Sequence, residues 1–142
     1  NFNPLEHRLE NAGTYNNITY YNDSISTIPA ATINAVNALK NVNTLIIGGM
    51  DRGIHYQPLI DFLNSSDIEH IICMPNTGHA IAKELTNNKA ILVKDLAEAV
   101  EKAKEVTKPN TICLLSPAAA SYGFFKNFEE RGEKYKELIA RK

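Results

Sequence analysis

Between Pro29 and Pro117 the chain switches repeatedly between two kinds of apolar pattern, and this alternation constrains its fold more than any other feature. "NTLIIGGMD", "EHIICMP", "KAILV" and "TICLLSP" are short apolar runs that end at glycine, proline or charge, as expected of strands buried on both faces. Between them, "YQPLIDFLN", "HAIAKEL" and "DLAEAVEKAKEV" carry apolar residues at helical spacing. "PAATINAVNALKN" precedes them, with Ile33, Val36 and Leu39 on one face and a proline suited to a first turn. "GFFKNFEERGEKYKELIARK" closes the chain as an amphipathic helix. Strands that alternate with helices predict a mostly parallel sheet covered on both faces, a Rossmann-like three-layer α/β domain.

The start of the chain departs from this pattern. "EHRLENAGTYNNITYY", Glu6 to Tyr21, holds two β-prone runs around Asn, Ala and Gly, which predicts a short antiparallel strand pair. With 142 residues there is room for one ordinary domain, and the 44% hydrophobic and 22% charged fractions are those of a globular chain. A formal net charge of -1 offers no general attraction to nucleic acid or to anionic lipid. Cys73 and Cys113 lie inside apolar runs, where free cysteine is a small buried hydrophobe, so neither a disulfide nor a zinc site is expected. His55, His70 and His79 have no metal-ligand spacing. No apolar stretch approaches the roughly 20 residues that cross a bilayer, and a cytoplasmic location is expected.

In open α/β sheets ligands bind beyond the carboxyl ends of strands, which here carry "NDS", "GGMDRG", "MPNTGH" and "SPAAASYG". Asp23 in "NDS" follows an aromatic run and stands where acids commonly meet ribose, yet "NDSISTIP" also suits a helix cap before Pro29. "GGMDRG" lacks the G-x-x-x-x-G-K-[ST] spacing of a phosphate loop, and Arg52 beside glycines suits a carboxylate or a solvated turn. Ser116 and Ser121 in "SPAAASYG" could present hydroxyls to an anion, or Ser121 could cap the last helix. "HRLE", His7 to Glu10, could contact a base and phosphates or form a charged strand edge.

Taken in order, "HRLE", "NDSISTIPAAT", "GGMDRG" and "LSPAAASYGFFKNFEERG" resemble the C-terminal domain of the Mur ligases, from Phe2 to the last helix. "SPAAAS", "NFEERG" and "NDS" with Thr27 resemble most the branch that adds D-glutamate to UDP-N-acetylmuramoyl-L-alanine. The resemblance implies a ligase in which ATP phosphorylates the substrate carboxylate and the amine of D-glutamate displaces the phosphate. It implies that Thr27, Arg52, Ser121 and the backbone around Phe128 hold D-glutamate, and that His7, Arg8 and Asp23 meet the nucleotide. It further implies that residues 1–142 are one domain of a three-domain enzyme. The UDP-binding domain and the central ATPase domain, which holds most of the contacts to ATP and Mg2+, would lie outside the chain. Two positions depart from the family pattern: Ile25 stands where relatives commonly carry lysine, and Arg52 replaces another lysine. The alternative from a different class is a noncatalytic nucleotide-sensing or protein-binding α/β module.

Overall fold

A computed structural model describes residues 6–141; the resemblance's first residues, from Phe2, and Lys142 lie outside the described residues. Strands β1 (Glu10–Tyr15) and β2 (Ile18–Asn22) form the expected antiparallel pair, closed by Asn16 and Asn17. Both asparagines have positive φ, 53° and 68°, the conformation a tight two-residue hairpin requires and asparagine tolerates. Next come α1 (Pro29–Leu39), β3 (Val42–Ile47), α2 (Gln57–Ser65) and β4 (His70–Cys73). The chain continues through α3 (Thr77–Ala82), β5 (Ala90–Leu92), α4 (Leu96–Val106), β6 (Thr111–Leu115) and α5 (Phe128–Ala140).

The six strands lie in the order β1-β2-β6-β3-β4-β5, with every pairing except β1·β2 parallel. Each β3 residue is buried, as a central strand between two helical layers demands. On one face Leu59 and Leu63 of α2 and Ala35 of α1 pack on Leu45, Ile47 and Ile71. On the other, Leu96, Val100, Tyr135 and Leu138 of α4 and α5 pack on Ile46, Ile72 and Leu115. Cys73 and Cys113 are free and fully buried, and burial pushes both thiols up to about 12, so neither is a reactive nucleophile. No helix among the described residues is long and apolar enough to cross a membrane.

Two expectations about helix starts change. The N-cap of α1 is Ile28, without a side-chain cap bond, so the hydroxyls of "NDSIST" are not spent on capping. The last helix starts at Phe128, five residues later than its apolar pattern implied, because Asn127 caps it by accepting from Glu130 N at 2.8 Å. Glu130 returns the bond, accepting from Lys126 N at 2.8 Å, so residues before Asn127 are held outside the helix. Ser121 is therefore not the cap. Its carbonyl accepts from Phe124 and Phe125 N–H.

Candidate functional site

The carboxyl ends of β2, β3 and β6 deliver their loops to one edge, where Thr27, Arg52, Ser121 and Phe128 line a single cleft of ≈ 440 Å³. Ile25, Tyr122 and Asn127 complete much of its wall. An antiparallel bridge between Met50 and Ala120, with Met50 N donating to Ala120 O at 2.9 Å, holds the Arg52 loop against the Ser121 loop. That contact depends on Gly49, where a Cβ would come within 2.4 Å of Ala120 O. Arg52 is exposed and enters no ion pair among the described residues. Phe128 is the first residue of α5, so its backbone N–H has no intrahelical acceptor. A guanidinium, two hydroxyls and an orphan N–H around one cleft form a donor set for carboxylates.

A second cleft, ≈ 390 Å³, is lined by Arg8, Asp23, Ser26 and Asn34, among others. Ile25 lines both clefts and so stands on the partition between them. Asp23 is only 2% exposed, and its carboxylate is the hub of the loops around it. Oδ1 accepts from Leu9 N at 3.1 Å, and Oδ2 accepts from Ser116 Oγ at 2.8 Å and from Ser26 Oγ. Burial raises its pKa above the usual carboxylate range, against the opposing pull of those hydrogen bonds. Ser116 Oγ also lies 3.0 Å from Thr32 Oγ1, which donates to Ser116 O and ties α1 to β6. The network engages Asp23, Ser26, Thr32 and Ser116 internally and leaves the first cleft to Thr27, Arg52 and Ser121.

His7 is placed differently from the expectation of a residue beside a base. Its ring is buried, edge-on to Phe128 with centroids 6.1 Å apart, and it does not line the Arg8 cleft. Asn22 Nδ2 donates to His7 Nδ1 at 2.8 Å, which leaves the ring proton on Nε2, directed toward Glu133 at 3.5 Å. Ile25 N donates to His7 O at 3.1 Å. His7 is thus a pin that fixes the segment carrying Arg8. Glu6, His7 and Glu133 bring potential metal ligands together, but Lys136 Nζ lies 2.8 Å from Glu6 and 3.1 Å from Glu133 and pairs with both.

The pin requires Gly132, since a Cβ there would come within 2.1 Å of His7 Nδ1. Glycine to alanine inside a helix ordinarily stabilises. Here Gly132→Ala is expected to have the opposite sign, lowering stability by about 1 to 3 kcal/mol as the His7 segment is displaced. Thermal denaturation of the variant checks this, and a raised melting temperature would remove the pin.

Sequence reasoning named Thr27, Arg52, Ser121 and Phe128 but overlooked Arg131, whose guanidinium is buried against Ser24 and the glycine loop. An arginine between glutamates in an amphipathic helix reads as solvated. The available signal was its neighbour Gly132, an interior helical glycine that marks close packing.

The family model for the Mur ligase, glutamate ligase domain, matches residues 7–119. The UDP-N-acetylmuramoylalanine–D-glutamate ligase of Oenococcus oeni is 42% identical over 97% of this chain and 32% of its own length. A UDP-N-acetylmuramoyl-L-alanine–L-glutamate ligase of Micromonospora is 37% identical over 97% of this chain and 31% of its own. The chain thus spans about a third of the length of these relatives. The MurF ligase of Thermotoga maritima, solved in complex with ADP, shares the fold, with a TM-score of 0.63 at 15% identity over 97% of this chain and 31% of that one. With most of its length inside the family model, the chain belongs to the Mur ligase, glutamate ligase domain family.

Proposed function

We propose that this chain is the C-terminal domain of an ATP-dependent ligase that adds D-glutamate to UDP-N-acetylmuramoyl-L-alanine in peptidoglycan synthesis. The observation that carries the reading is the convergence of Thr27, Arg52, Ser121 and Phe128 on one cleft. Glutamate presents two carboxylates and one amine. The cleft supplies donors for the carboxylates and leaves the amine as the free nucleophile. In the reaction, the substrate carboxylate takes the γ-phosphoryl group of ATP, ADP leaves, and the glutamate nitrogen attacks the acyl phosphate. Phosphate departs with the C–O bond electrons and the amine releases a proton.

Arg8 lines the neighbouring cleft and would meet the nucleotide, with His7 and Asp23 holding its segment in place. The Glu6, His7 and Glu133 cluster does not fit magnesium, which requires near-octahedral oxygen ligands, because the Lys136 ammonium already bridges its carboxylates. On this reading the phosphates and their metal are positioned by groups outside this chain. The isolated domain is accordingly expected to fold and yet to form no amide bond, since phosphoryl transfer is positioning and charge stabilisation by those groups. Clear product from the domain alone would refute this division of labour.

Relatives of similar identity are named for D-glutamate and for L-glutamate, so the test must separate the enantiomers. The complete ligase, supplied with ATP, magnesium and UDP-N-acetylmuramoyl-L-alanine, should release phosphate on addition of D-glutamate and far less with L-glutamate. Turnover with L-glutamate alone would reverse the stereochemical assignment. Nucleotide binding without turnover on either enantiomer would refute the ligase reading.

A further inference from the structure

Arg131 is the largest side chain fully buried among the described residues, and no carboxylate pairs with it there. Burial pulls its pKa down to about 10, which still leaves it charged at neutral pH. An uncompensated buried charge is costly, and apolar residues of similar volume often replace buried ions without loss of stability. Stability alone does not account for an arginine at this position.

Its contacts point to another role. Nε donates to Ser24 Oγ at 3.0 Å and Nη2 donates to Ser24 O at 2.7 Å. Ser24 Oγ in turn donates to Phe128 O at 2.7 Å. Nη1 makes no hydrogen bond and faces the glycine loop, where a Cβ on Gly49 would come within 3.3 Å of it. One rigid fork therefore holds the loop after β2, faces the loop after β3 and, through Ser24 Oγ, reaches the first turn of its own helix. Those three segments carry Thr27, Arg52 and Phe128, three walls of the amino-acid cleft.

We propose that Arg131 and Ser24 are positioning residues that clamp these walls at the spacing the amino acid requires. The proposal rests on the glutamate reading of the cleft. Lysine could not reproduce the clamp, because a point charge on a flexible stem cannot reach a hydroxyl and a carbonyl in fixed geometry while facing the glycine loop. Ser24 contributes through its hydroxyl, which relays the fork to Phe128 O, directly beside the orphan N–H at the start of α5.

The test uses the complete ligase, with glutamate, ATP and UDP-N-acetylmuramoyl-L-alanine varied separately and melting temperatures measured on the same samples. Arg131→Met is expected to stay folded, with a melting temperature at or above that of the wild type. Its glutamate KM should rise by about tenfold or more while the ATP KM moves by less than about threefold. Ser24→Ala should reproduce part of the effect, roughly threefold to tenfold on glutamate. An unchanged glutamate KM in folded Arg131→Met overturns the clamp, as does a fall in melting temperature with both KM values rising together. Should Arg131→Met fail to fold, a wild-type glutamate KM in Ser24→Ala overturns it instead. A wild-type ligase without glutamate-dependent turnover would remove the glutamate reading itself, and the clamp with it.

Discussion

Replacing Arg52 by alanine in the complete ligase is expected to raise the KM for glutamate by roughly 30- to 150-fold, with the ATP KM nearly unchanged. The size follows from losing a charged hydrogen-bonding partner for a carboxylate, about 2 to 3 kcal/mol. The selectivity follows from geometry, since Arg52 lines the cleft shared with Thr27, Ser121 and Phe128 and does not line the one containing Arg8 and Asp23. An exposed arginine without an internal ion pair has little structural role, so stability should hold. Arg52→Lys keeps the charge but loses the planar fork, and a rise of about threefold to tenfold is expected. Glutamate saturation curves at fixed ATP, with ATP binding measured separately, decide the matter. Wild-type glutamate kinetics in Arg52→Ala would show that the guanidinium is merely solvated.

Most of the fold was legible because its signals are local. Each buried strand announces itself as a short apolar run that ends in glycine, proline or charge, and each helix by its spacing. The order β1-β2-β6-β3-β4-β5 is a different matter. No local pattern states that β6 inserts between β2 and β3, although that insertion brings Asp23 and Ser116 within 2.8 Å. The cap of α1 and the start of α5 went astray for a related reason. Serines and threonines before Pro29 offered a cap, but a tertiary contact to Phe128 claimed Ser24, nearby Asp23 claimed Ser26, and Asn127 with Glu130 set the start of α5.

The two clefts were legible to different degrees. Thr27, Arg52, Ser121 and Phe128 could be matched one by one to a family pattern, and their loops do converge. His7 and Asp23 were matched as ligand contacts, whereas the structure makes His7 a pin and loads Asp23 with internal bonds. A sequence motif records that a residue matters at a site. It does not separate a residue that touches a ligand from one that holds the residues that do.

That distinction governs the second large expectation, at Asp23. Asp23→Ala removes the shared acceptor of Leu9 N, Ser26 Oγ and Ser116 Oγ, and these donors are held by loops on both sides of the sheet edge. Hydroxyls can rotate to other partners, but the Leu9 N–H cannot. A loss of about 3 kcal/mol is expected, which lowers the melting temperature of a chain this size by about 10 °C. Because the same loops carry Arg8 and Thr27, both ATP and glutamate use should deteriorate. Asp23→Asn should be milder. Its Oδ1 can still accept from Leu9 N, and its Nδ2 can donate to a serine hydroxyl that turns to accept. The aspartate's pKa is raised by burial, so its linkage favours the folded state below the unfolded-state pKa, and this contribution is lost as pH rises through the folded-state pKa. Asn does not titrate and should flatten that part of the stability profile. ATP kinetics of the two variants then separate the roles. If Asp23 works by holding the loops, Asp23→Asn keeps near-normal ATP use while Asp23→Ala does not. Equal loss of ATP use in a fully stable Asp23→Asn would instead place the carboxylate against the nucleotide.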